Sequence, residues 1–159
     1  MTAKTQVRRP TEAGLYETDI VAWADEQARL LRAGRLDQLD LEHIAEEIED
    51  VGKSEQRELA SRMAVLLARL IKWQYQPERR GKSWEVTIRT QRNVIARRLR
   101  RTPSLAGSLS DPDWWDDAWD DALDAATRET GLGDLPQTCP WDVARVLDPN
   151  WLPTPDARA

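Results

Sequence analysis

The stretch Leu41-Glu42-His43-Ile44-Ala45-Glu46-Glu47-Ile48-Glu49-Asp50-Val51-Gly52-Lys53-Ser54 runs on without a proline to Gln76, and its reading decides the fold. Leu41, Ile44, Ala45, Ile48 and Val51 recur at spacings of three and four, the period of a helix with one apolar face. The stripe resumes as Leu59, Met63, Leu66, Leu67 and Leu70. Asp40 stands where an N-cap is wanted. The second half is apolar over a wide arc that includes Ala60, Ala64 and Ile71, the pattern of a central helix covered on more than one side. At 1.5 Å per residue, 36 residues would span roughly 54 Å, against about 40 Å across a compact domain of this size. The helix is therefore expected either to kink near Gly52-Ser54 or to project one end toward a partner.

Working outward, the nine prolines leave three long windows for helices, residues 11–76, 78–102 and 113–135, because proline is costly inside a helix and tolerated in its first turn. A helix is predicted from about Glu17 to Ala33, with Ile20, Trp23, Ala24, Gln27, Leu30 and Leu31 as its inner stripe and Gly34 as a left-handed cap. Another begins after Ser83, read as its N-cap, and ends near Arg101. Thr102-Pro103 opens a short helical turn to about Leu109. Asp111-Pro112 opens a helix ending at Gly131. A last short helix follows Cys139-Pro140, and Asp148–Ala159 reads as an extended tail pinned by Trp151. The expected fold is all-α: a single-domain helical bundle over residues 15–153 with four main helices and two short ones. Residues 1–14 and 154–159 are read as flexible.

Composition bounds the function classes. Leu, Ile, Val and Phe make up about 20 per cent of the 159 residues, at the edge of disorder. A net charge of only −5 and eight Trp weigh for a folded chain, since each buried Trp removes roughly 150–250 Å² from water. One Cys and one His exclude a disulfide framework and the common zinc cages within one chain. No apolar run approaches the roughly 20 residues of a membrane span, and the first residues lack a secretory h-region. A cytoplasmic location with no membrane is expected.

Four constellations carry chemistry. His43, Glu46, Glu47 and Asp50 share one helix face, a donor set suited to Mn, Fe or Zn, but one chain holds no second His, and the set points away from the apolar stripe, as a solvated acidic face does. Gly52-Lys53-Ser54 lacks the strand and first Gly of a phosphate loop, so Gly52 is read as a kink or a close helix crossing. The hairpin of residues 72–101 interleaves Trp73, Tyr75, Arg79, Arg80, Trp84, Arg89 and Arg92, a combination that suits stacked bases and phosphates. Its plain structural reading is a packed Trp73–Trp84 pair with Arg stems lying over it. Residues 111–124 hold seven Asp and no base, and residues 77–101 are net +7. The aspartate face is expected to lie solvated against the arginine block in the same bundle. Cys139 is read as a small buried residue, and no nucleophile–base pair is available.

Four of these stretches also resemble a known family. They are Asp19 with Trp23-Ala24, Gln27-Ala28, Leu31-Arg32 and Gly34; Asp40–Asp50; Lys72–Arg80 with Ser83-Trp84; and Cys139-Pro140-Trp141. Together they resemble the bacterial family catalogued as domain of unknown function 29, over about residues 15–153. The resemblance implies a small, stand-alone, all-helical bacterial protein with no established activity, so no catalytic residue is carried over. The expected function is a non-enzymatic interaction or assembly module, a homo-oligomer or complex subunit with a protein partner and no cofactor. The alternatives are nucleic-acid binding by the hairpin and metal-dependent chemistry at His43.

Overall fold

The structure, a computed structural model, describes residues 12–155, with side chains from residue 14 onward. All regular structure among these residues is helical: α1 Glu12–Thr18, α2 Ile20–Arg32, α3 Leu41–Tyr75, α4 Lys82–Arg101, α5 Pro112–Thr130 and α6 Val143–Leu147. Tight 3-10 turns occupy Leu36–Gln38, Pro77–Arg79 and Pro103–Ser110. The flexible ends read at 1–14 and 154–159 fall mostly outside the described residues, although α1 already begins at Glu12. The chain divides into two compact units, Met1–Lys53 and Ser54–Ala159.

In the first unit the single helix read from Glu17 is two helices. Asp19 interrupts them, because its carboxylate accepts from the Ala22 N–H at 3.0 Å and caps α2. The C-terminus of α2 closes as a Schellman motif. The Gly34 N–H donates to the Leu31 carbonyl and the Arg35 N–H to the Leu30 carbonyl, with Gly34 at φ 69°. Trp23, Gln27 and Leu30 are buried, whereas Ile20, Ala24 and Leu31, placed in the same stripe by the sequence, face solvent.

Helix α3 is unbroken through Gly52. No atom lies within 4 Å of where a Cβ on Gly52 would stand, so the expected close crossing is absent. The two halves of α3 bury opposite kinds of residue. From Leu59 onward the apolar stripe is inside, with Leu59, Met63, Leu66, Leu67, Leu70 and Ile71 fully buried. Before Lys53 it is outside, with Leu41 66%, Ile48 67% and Val51 67% exposed.

The second unit closes around that buried half of α3. Ile88 and Ile95 of α4, Leu105, the α5 face of Ala118, Trp119, Ala122 and Ala126, and Trp141 and Val146 complete one core. Each fully buried aliphatic side chain contributes roughly 1.5–3 kcal/mol before its ordering entropy is counted. Helix α4 begins two residues earlier than read, with Gly81 rather than Ser83 at the N-cap; the Ser83 carbonyl instead accepts from Thr87 Oγ1 within the helix. Asp111 caps α5 through the Asp113 N–H, and Gly131 ends it at φ 72°. The aromatic spine is a run of edge-to-face rings, Trp119 on Trp141 at 5.6 Å and Trp141 on Trp151 at 5.7 Å. These are the offset geometries that ring quadrupoles favour.

Candidate functional site

The acidic face proposed around His43 is split: His43 and Glu47 are half-buried, while Glu46 and Asp50 are exposed. Asp40 caps α3, its Oδ1 accepting from the His43 N–H at 3.4 Å. Its Oδ2 accepts from Trp23 Nε1 at 3.1 Å and lies 2.6 Å from His43 Nδ1. Its own N–H donates to Gln27 Oε1 at 2.9 Å. Tyr16 stacks on the His43 ring at 3.9 Å, stands edge-on to Trp23, and donates its hydroxyl to Glu47 Oε1 at 2.8 Å. The polar residues can face inward because each has a partner there, which is the condition for burying them.

This network shifts three titrating groups. Hydrogen bonding to Asp40 raises His43, against an opposing push from burial. Burial pushes Asp40 up, but its bonds to His43 and Trp23 outweigh that and leave it below its usual range. The bond to Glu47, followed by burial, pushes the Tyr16 hydroxyl up to about 12, which keeps it a donor. Of the four metal candidates, His43 commits Nδ1 to Asp40, Glu47 is held by Tyr16, Glu46 is exposed, and Asp50 lies 3.8 Å from Lys53. Among the described residues no group of three or more His, Cys, Asp or Glu is placed to hold a metal ion.

The hairpin candidates in the second unit separate into structural and exposed residues. Trp73 is buried, capped by the Arg80 guanidinium at 5.1 Å, while Arg80 Nε donates to the Trp73 carbonyl at 2.7 Å. Trp84 is half-buried beneath Lys72 at 5.1 Å and Arg69 at 5.9 Å. The expected Trp73–Trp84 pair is thus replaced by three cation–π contacts, one on Trp73 and two on Trp84. Lys72 is itself buried and paired with Glu129. Arg92, only 6% exposed, donates Nε to the Val146 carbonyl and Nη2 to the Trp151 carbonyl, both at 2.8 Å. Burial lowers its pKa. Tyr75 is half-buried, and Arg79 and Arg89 are exposed. Trp73 is therefore spent on the core and Arg92 on the C-terminal segment, and neither presents a face to a nucleic acid.

The charge blocks do not meet. All six aspartates of the α5 face, Asp113, Asp116, Asp117, Asp120, Asp121 and Asp124, are exposed. Among the described residues none of them forms an ion pair with α4. Arg98 turns instead to α3, reaching Glu55 at 3.0 Å and Glu58 at 3.3 Å. On the open side of α4, Lys82, Arg89, Arg97, Arg100 and Arg101 are exposed. With Arg92 engaged by the C-terminal segment and Arg98 by α3, the remaining bases of α4 lie on its outward side.

Two further features bear on chemistry. Cys139 is partly buried, its thiol donates to the Trp141 carbonyl at 3.4 Å, and burial pushes its pKa up, the opposite of an activated nucleophile. A cleft of about 240 Å³ between α4 and Pro149–Leu152, floored by Ile88 and Arg92, is smaller than the roughly 300–1,000 Å³ of most ligand pockets.

The sequence reading missed Asp40, Tyr16, Trp23 and Gln27 as partners of His43. Asp40 alone carried a local signal, as an N-cap. No helix among the described residues is long and apolar enough to cross a membrane. No curated protein and no solved structure matches the chain. The all-helical architecture and the motifs agree with a family match: over residues 15–152 the chain belongs to the family described as domain of unknown function DUF29.

Proposed function

We propose that this protein is a non-enzymatic interaction and assembly module whose contact face is the apolar stripe of the first unit. The observation that carries this reading is the placement of its exposed apolar residues. Of ten large exposed hydrophobic side chains among the described residues, seven lie between residues 20 and 51: Ile20, Val21, Leu31, Leu36, Leu41, Ile48 and Val51. Scattered singly, such residues need no explanation, but grouped they mark an interaction site. Leu41, Ile48 and Val51, with Ile44 and Ala45, repeat at helical spacing, so a partner helix laid along α3 would cover them together. A standard interface buries roughly 800 Å² per partner, and side chains of this number and size supply an apolar centre of that order.

The test is mass in solution and in complexes purified gently from the native host. The expected result is an assembly heavier than the 18.2 kDa chain that Ile48→Glu with Val51→Glu takes apart. A monodisperse monomer that brings down no partner sinks the reading.

A further inference from the structure

The second unit carries two exposed faces of opposite charge that do not neutralise each other within the chain. Lys82, Arg89, Arg97, Arg100 and Arg101 line α4, with Glu85 at the edge of that face. The six exposed aspartates line α5. The faces are of comparable length: the four arginines from Arg89 to Arg101 cover 13 residues and the aspartates from Asp113 to Asp124 cover 12, each about 17–18 Å of helix. The unit as a whole is neutral, residues 54–159 holding 16 basic and 16 acidic side chains. Another copy of the unit offers each face its complement.

We infer that the second unit self-associates, the basic face of α4 in one copy seated on the aspartate face of α5 in the next. The two patches differ, so each contact is heterologous, and it closes as a ring or a reciprocal pair or else continues as a chain. Exposed ion pairs are individually weak, and salt screens them over about 8 Å at physiological ionic strength. The association is therefore modest and strongly salt-dependent. It uses a surface distinct from the apolar stripe on α3.

Sedimentation velocity on the full chain tests this with charge reversal. In an Ile48→Glu, Val51→Glu background, which removes the apolar contact, the chain is expected at low salt, about 20 mM, at roughly twice the monomer mass or more, falling to the monomer at about 0.5 M salt. Added to that background, Arg97→Glu with Arg100→Glu, and separately Asp117→Lys with Asp120→Lys, are each expected to be monomeric at low salt. Mixing the two variants restores association, because each keeps the face the other has lost. All four positions are exposed, and circular dichroism checks that both variants keep the wild-type helix content. Association that survives Ile48→Glu with Val51→Glu but not the arginine reversal separates this contact from the apolar one. A wild type that stays monomeric at low salt overturns the inference, as does a mixture that fails to reassociate. So does retention of a labelled single-stranded oligonucleotide by the wild type and not by the arginine variant, which would make α4 a nucleic-acid face.

Discussion

His43 is the only histidine in the chain, and its contacts give it a testable pH signature. Its pKa is raised by Asp40 above the ordinary 6.5, so its stabilising contribution is full below that value and is lost as pH rises through the raised one. Asp40 is held below 3.8, so its contribution is full above that value and is lost as pH falls through the lowered one. The pair therefore stabilises the first unit most between about pH 4 and 6.5. The expected outcome is thermal unfolding of the first unit, followed by circular dichroism, at lower temperature at pH 8.5 than at pH 5.5, with His43→Asn abolishing most of the difference. An unchanged difference in the variant would assign the effect to other groups. At this scale the sequence was only partly legible. The helical period of α3 could be read, but which side faced inward could not, because hydropathy ranks Leu41 and Ile48 above His43 and Glu47. The inversion is enforced by Tyr16 and Trp23, whose rings and polar tips accept imidazole and carboxylate neighbours. Those contacts join residues 17–31 apart and leave no mark in any local window.

Among the elements, helix boundaries followed their local chemistry closely. Asp111, Pro112 and Gly131 bracket α5 as capping rules require, and the end of α2 at Gly34 was read correctly for the same reason. Two glycines should respond oppositely to alanine. Gly131 sits at φ 72°, where a Cβ is strained, so Gly131→Ala should cost about 1 kcal/mol. Gly52 is an exposed interior position of a continuous helix with open space around it, so Gly52→Ala should stabilise by about 0.5–1 kcal/mol. Chemical denaturation with an unchanged slope checks both; a destabilising Gly52→Ala would show that α3 needs flexibility there. The sequence reading sought a kink at Gly52 because a straight helix of that length exceeded one compact domain. With two units sharing one helix, that size argument no longer applies. Helix α1 went unread because Glu12–Thr18 offers one short segment with no repeating stripe.

For the whole molecule, the division of the chain implies unequal stability. The first unit buries Trp23, Gln27 and Leu30 among its described residues, while the second has a core of seventeen buried side chains. Local opening free energies track such differences in buried apolar contact. Hydrogen exchange should therefore be fast in Ile20–Arg32 and slow in Leu59–Ile71 and Ala118–Ala126; equal protection would mean that the chain opens as one cooperative body. A marginal unit with an outward apolar stripe is what a partner would stabilise by mass action, which links this prediction to the proposed assembly. The fold class was legible because periodicity and prolines are local signals. The fate of the basic hairpin was not, because the acceptors of Arg92 lie 54 and 59 residues further along the chain.

That separation also sets an order of events during synthesis. A ribosome adds about 5–20 residues per second, so Arg92 leaves the tunnel seconds before the Val146 and Trp151 carbonyls exist. Until they arrive its guanidinium must stay in water, because no other acceptor is built for it and an unpaired buried charge is costly. Nascent α4 is therefore kept from settling fully onto α3, and the docking of the C-terminal segment acts as a latch that closes the second unit only once Val146 and Trp151 have themselves left the ribosome.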